Sequence, residues 1–146
     1  MFRGRYPHTI DPKGRVSMPT AFRAELQEHE DRPPFVTNLS RCLALFPQQR
    51  WLEFEERMAS LSQVRPEVQA FQRFLVSGAQ ECAIDRQGRI LLPQHLRQHA
   101  GLEREVIIAG VGPRIEIWDR SRLDEEIRRV AERNDEISTV LADLGL

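Results

Sequence analysis

The sequence predicts an α+β fold, mainly β, in which two copies of one unit close about a pseudo-twofold axis into a single intertwined β-barrel with flanking helices. Three observations predict it. Residues 10–23 read IDPKGRVSMPTAFR and residues 84–97 read IDRQGRILLPQHLR, identical at Ile10/Ile84, Asp11/Asp85, Gly14/Gly88, Arg15/Arg89, Pro19/Pro93 and Arg23/Arg97. A second match follows at an offset shorter by two, LALFP at 43–47 against IEIWD at 115–119, with the lost residues placed in the loop around Asp31–Pro34. A unit of this size, roughly 45 residues, is near the lower limit for burying its own sheet, so the copies are expected to pack on each other.

Each element follows from local chemistry. Asp11-Pro12-Lys13-Gly14 has Asp first, Pro second and Gly fourth, the order of a type I turn, and Asp85-Arg86-Gln87-Gly88 repeats it without the Pro. Alternation at Thr9-Ile10 and at Val16-Ser17-Met18 makes this turn the expected tip of a β-hairpin. Pro19 and Pro93 stand where a helix's first turn tolerates them, and Phe22/Leu26 and Leu96/Ala100 supply apolar stripes four residues apart. A second hairpin is clearest at Glu105–Gly110 and Arg114–Trp118, turning at Val111-Gly112-Pro113. Residues 48–77 read as helical, with Trp51, Phe54, Met58 and Leu61 on one stripe, a break at Arg65-Pro66, then Val68, Phe71 and Leu75 before Gly78. In the tail Leu123, Ile127, Val130, Asn134, Ile137, Leu141 and Leu144 follow a heptad seam with one polar interruption. Two readings of that seam stand: a helix lying on its own domain, or packing between molecules. The expected organisation is a first repeat over residues 5–50, a helical connector over 51–78, a second repeat over 79–122 and a C-terminal amphipathic helix over 123–146.

Composition narrows the function. Leu, Ile, Val and Phe make up 40 of 146 residues, enough for a core. The longest apolar runs, Leu43–Phe46 and Val106–Ala109, are far short of a membrane span, and no signal peptide is visible, so a cytoplasmic protein without a membrane partner is expected. The net charge of −1 hides an asymmetry: residues 1–23 carry Arg3, Arg5, Lys13, Arg15 and Arg23 against Asp11 alone, whereas residues 119–146 hold eight acids against five arginines. A basic front with an acidic tail fits a nucleic-acid binder. Catalysis is not expected. His8 and Asp11 could be drawn as an acid–base pair, but the repeat sets Cys82 opposite His8. Gly110-Val111-Gly112 lacks the pattern of a dinucleotide site. His95 and His99 have metal-like spacing but only Glu103 as a further ligand, so neither a metal nor a cofactor is expected.

The sequence resembles the MraZ family, bacterial transcriptional regulators tied to the division and cell-wall gene cluster. The resemblance rests on Phe2-Arg3-Gly4, on DPKGR at 11–15 with Pro19, on DRQGR at 85–89 with Pro93, and on the spacing of Leu43–Pro47 and Ile115–Asp119 behind each copy. It implies the swapped-hairpin barrel of AbrB and SpoVT, formed here within one chain, nucleoid association, and ring-like homo-oligomers that bind tandem short repeats in double-stranded promoter DNA. Asp11, Lys13, Gly14 and Arg15 match the family's first motif; in the second, Gln87 stands opposite Lys13, which implies unequal DNA contact by the two copies.

On this reading Arg15, at the tip of a projecting turn, reaches phosphates or guanine edges, with Lys13, Gly14, Arg3 and Arg5 completing the DNA-binding set. Asp11 shapes the loop. Asp85, Arg86, Gly88 and Arg89 are expected to shape the second loop or an interface rather than to read bases. Two alternatives stay open: an Arg15–Asp11 ion pair that only stiffens the turn, and an oligomeric protein-interaction scaffold that never touches DNA.

Overall fold

The computed structural model describes residues 1–29 and 32–146. The loop around Asp31–Pro34, where the two-residue offset between the repeats is expected, lies partly outside the described residues, at Asp31. Among the described residues the first copy contains β1 (Phe2–Thr9), β2 (Arg15–Ser17), α1 (Thr20–His29), β3 (Phe35–Leu39) and β4 (Cys42–Phe46). Two connecting helices follow, α2 (Gln48–Ala59) and α3 (Pro66–Phe71), the latter running into a π-helical turn over Gln72–Val76. The second copy contains β5 (Gln80–Glu81), β6 (Arg89–Leu91), α4 (Gln94–Ala100), β7 (Glu105–Gly112) and β8 (Arg114–Asp119). The tail forms α5 (Arg120–Glu132) and α6 (Asn134–Asp143). None of these helices is long and apolar enough to cross a membrane.

The strands form an antiparallel six-stranded sheet in the order β1-β7-β8-β4-β3-β5 and a separate two-stranded ribbon, β2-β6. Register obeys the repeat. Ala44 pairs with Glu116 at the centre of β4–β8, and Val16 with Ile90 at the centre of β2–β6, each residue facing its own counterpart. The pairs Pro7–Ile107 and Tyr6–Ile108 on one side correspond to Glu81–Phe35 and Gln80–Val36 on the other. A pseudo-twofold axis therefore passes through both pairings.

Two expectations change here. The turn at Asp11–Gly14 is closed as predicted, by Asp11 N–H to Arg15 O at 2.9 Å and Gly14 N–H to Asp11 O at 2.9 Å, but its flanks do not form a hairpin ladder. β1 pairs instead with β7, and β2 with β6, both in the other copy. The barrel does not close: β1 and the two-residue β5 remain the edges of the larger sheet. Backbone bonding runs one residue past each outer strand, Ile10 N–H to Arg104 O at 2.8 Å and Cys82 N–H to Pro34 O at 2.7 Å, before the chain enters the turns.

The core lies between the sheet and the ribbon with its helices. Val16, Met18, Phe22 and Leu26 are buried against Ile90, Leu92, Leu96 and Ala100, the counterparts in the second copy. Val106, Ile108, Ile115 and Ile117 face this core, while alternate residues Ile107 and Trp118 face the opposite side and meet Leu123 of α5. At about 1.5–3 kcal/mol per fully buried large side chain, neither copy alone would retain this burial. Pro19 and Pro93 sit just before α1 and α4, where their carbonyls accept the first helical N–H bonds. The tail departs from one continuous helix. α5 is capped by Asp119, whose Oδ2 accepts from Arg122 N–H at 3.1 Å, and it ends at Arg133, whose φ of −100° and ψ of 43° are not helical.

Candidate nucleic-acid interface

Asp11 organises the first turn. Its Oδ1 accepts the backbone N–H groups of Lys13 and Arg15, each at 2.9 Å, and its Oδ2 accepts from Arg15 Nε at 2.7 Å. Asp85 repeats the pattern with Gln87 and Arg89, both backbone bonds at 2.9 Å and the Arg89 Nε bond at 3.1 Å. The ion pair raised as an alternative role for Arg15 thus exists in both copies. It engages Nε and leaves the two terminal nitrogens of each guanidinium for other partners. The Arg15 backbone N–H foremost, then the Arg15 side chain and the Lys13 N–H, hold the Asp11 carboxyl below the usual aspartate range. The Arg89 and Gln87 N–H groups and the Arg89 side chain do the same for Asp85.

The glycines explain the packing of the turns. Gly14 has φ +86° and Gly88 φ +77°, left-handed conformations that favour glycine. A Cβ on Gly14 would stand 2.7 Å from the guanidinium carbon of Arg97, and one on Gly88 would stand 2.2 Å from a terminal nitrogen of Arg23. The carbonyls of the two glycines accept the N–H groups of Leu92 and Met18, at 2.9 and 2.8 Å, again from the other copy. Arg23 and Arg97 thus pack on the turns of the opposite copy, a placement to which sequence reasoning gave no weight. The repeat alignment contained both as a matched pair, the one signal that could have found them.

The ribbon sets the direction of the arginines. Val16 and Ile90 are 1% and 0% exposed and point into the core, so Arg15, Ser17, Arg89 and Leu91 share the outer face. Arg15 faces Leu91 and Arg89 faces Ser17, which makes the two arginines diagonal neighbours, a relation with a spacing of roughly 7–8 Å. Exposed Lys13 and Arg86 flank them on the two turns. The structure thus places Lys13, Arg15, Arg86 and Arg89 on one side of the ribbon, the last two being residues expected to shape the second loop or an interface. It does not bring Arg3 and Arg5 there: they lie exposed on edge strand β1 opposite Val111 and Ala109, roughly 20 Å or more of extended chain from the turn.

The chain matches a family model described as "MraZ protein, putative antitoxin-like" twice, over residues 1–74 and 75–140. The chain belongs to the MraZ family. Proteins named transcriptional regulator MraZ from Heliobacterium modesticaldum and Moorella thermoacetica are 45% and 43% identical to it over the full length of both chains. The one from Syntrophobacter fumaroxidans is 40% identical over 99% of this chain and 97% of its own. The double match to the MraZ model agrees with the two-copy reading, and the MraZ relatives are named as regulators, not enzymes.

The other reactive side chains have structural placements. Nε2 of His99 lies 3.0 Å from the Leu39 carbonyl and Nε2 of His95 3.5 Å from that of Gly78, so both rings tie α4 to its neighbours. Among the described residues no three His, Cys, Asp or Glu side chains gather as a metal site would require. Cys42 and Cys82 are buried, which pushes both thiols up to about 12 and leaves them unreactive at neutral pH.

Proposed function

We propose that this chain is a DNA-binding transcription regulator of the division and cell-wall gene cluster, cytoplasmic and nucleoid-associated, that binds tandem promoter repeats as a ring-like homo-oligomer. The observation that carries the reading is the outer face of the β2–β6 ribbon, where Arg15 and Arg89 project beside Lys13 and Arg86. A two-stranded ribbon fits the major groove, and arginine there bonds guanine O6 and N7 or phosphate. The names of the relatives support it. Arg15 with Lys13 and Gly14 makes the principal contact, Arg89 and Arg86 a second one from the other turn, and Arg3 and Arg5 on β1 meet flanking backbone.

An electrophoretic shift titration against promoter DNA with intact or scrambled repeats, at fixed and stated salt, tests this. The intact repeats should bind more tightly, with affinity falling steeply as salt rises. Assembly without any shift would leave the scaffold reading in its place.

A further inference from the structure

The outer face of the β2–β6 ribbon holds one side chain that phosphate attraction does not explain. Leu91 is 59% exposed, between the buried side chains of Ile90 and Leu92. The repeat sets Ser17, also exposed, at the same position of β2, so a polar residue fits that place in the fold. Leu91 adds nothing to the core, which the ribbon supplies through Val16, Met18, Ile90 and Leu92. A leucine alone on a surface is ordinary; the neighbours of Leu91 set it apart.

Met18 N–H bonds to Gly88 O at 2.8 Å and Leu92 N–H to Gly14 O at 2.9 Å, which makes Met18/Gly88 and Gly14/Leu92 hydrogen-bonded pairs. By the alternation of an antiparallel ladder, Arg15/Leu91 and Ser17/Arg89 are then the non-hydrogen-bonded pairs, with Cα atoms about 4.5 Å apart and side chains close together. Leu91 therefore stands directly beside Arg15, with Arg89 two residues away on its own strand. Residues 11–17 and 85–91 carry Lys13, Arg15, Arg86 and Arg89 against Asp11 and Asp85 alone. Each aspartate engages one arginine at Nε, and the surface around Leu91 stays cationic. A second copy of the same face would meet it with like charge, whereas DNA meets it with opposite charge.

The floor of the major groove offers hydrogen-bonding edges and one apolar group, the C5 methyl of thymine. Arginine and lysine bond the edges and the phosphates; a leucine suits the methyl. We propose that Leu91 packs on the C5 methyl of a thymine in each promoter repeat and so selects thymine over cytosine at one base pair. This contact deepens the proposed DNA binding and rests on it. Docking takes the leucine and the methyl out of water together, while Arg15 beside it supplies hydrogen bonds to the same stretch of groove. Ser17, at the matching place on the other strand, offers a hydroxyl instead, so the two strands present different chemistry to the bases they cover.

Uracil in place of thymine removes that methyl and nothing else. Gel-shift titrations at fixed salt read the contact without altering the protein, using promoter DNA in which one thymine position of every repeat at a time carries deoxyuridine. For wild type, one position should weaken binding about fourfold or more, the worth of one methyl group returned to water. Leu91→Ser, which copies Ser17, should bind thymine and uracil DNA equally at that position, and Leu91→Met should retain the preference. Circular dichroism and sedimentation velocity check fold and assembly; should Leu91→Ser unfold, Leu91→Gln takes its place. Wild type that shifts promoter DNA but ignores every uracil overturns the contact and leaves the regulator reading standing. A folded Leu91→Ser protein that keeps the full uracil penalty assigns the methyl to another residue, and one that loses assembly places Leu91 between copies; either result overturns the proposal. Wild type that never shifts promoter DNA removes the regulator reading, and this contact with it.

Discussion

Asp11 serves two backbone amides and one guanidinium with two oxygens, and every bond favours its charged form. A carboxyl whose folded pKa is depressed stabilises the fold fully above the ordinary aspartate value, near 4, and loses that contribution as pH falls through the lower folded value. Hydrogen exchange at the Lys13 and Arg15 amides should therefore stay protected from neutral pH to about pH 5 and weaken below about 4. Asp11→Asn should flatten that loss; an unchanged acid profile would refute the assignment. Arg15→Ala should keep fold and assembly but weaken DNA binding by about 1–3 kcal/mol per contact, and Arg89→Ala should do so to a smaller degree, both read by gel shift. Normal binding by folded Arg15→Ala would remove the ribbon from the interface. Gly88→Ala combines a left-handed backbone with a collision against Arg23, and should lower stability by about 1–3 kcal/mol in a urea melt. The turn was legible in the sequence because Asp, Pro and Gly act on their own backbone. The role of Arg23 was not, because it packs on a glycine in the other copy.

The same division between local and remote information governs the elements. The three residues of β2 read as half a hairpin because alternation beside a turn says which face is buried, not which strand pairs. Their partner, β6, lies in the second copy, and only the repeat itself could have hinted at that exchange. Asn134 read as a polar break in a continuous seam. It begins α6, where Asp135 and Glu136 in the first turn complement the helix dipole. The ribbon also carries an asymmetry that its register lacks. Lys13 is third in its turn and Arg86 second in the other, so the two loops place their exposed cation differently on an otherwise symmetric frame. A symmetric reader matches a palindrome, whereas unequal loops can read a site with direction. Substituting Pro12→Arg together with Lys13→Gln makes both loops DRQGR. That variant should lose its preference for direct over inverted repeats in competition gel shifts; an undiminished preference would place the directional contact elsewhere.

Across the whole chain the near-zero net charge makes a single ribbon a weak DNA ligand. Non-specific contacts of this kind have dissociation constants of roughly 10⁻⁴ to 10⁻⁶ M at physiological salt. Several ribbons on one assembly would meet successive repeats, and linked sites raise apparent affinity by about 10² to 10⁴ when geometry lets them engage together. Selective binding should then be a property of the assembly, growing with the number of repeats and vanishing when their spacing is changed. A variant made monomeric by interface substitutions outside the ribbon supplies the comparison. Titrated against DNA with one, two and three repeats, wild type should gain affinity at each step, while the variant should bind all three at nearly the same weak level. If the dissociated variant binds one repeat as tightly as the assembly binds three, linkage contributes nothing. Arg15, Arg89 and their flanking cations would then have to supply the whole affinity from a single protomer.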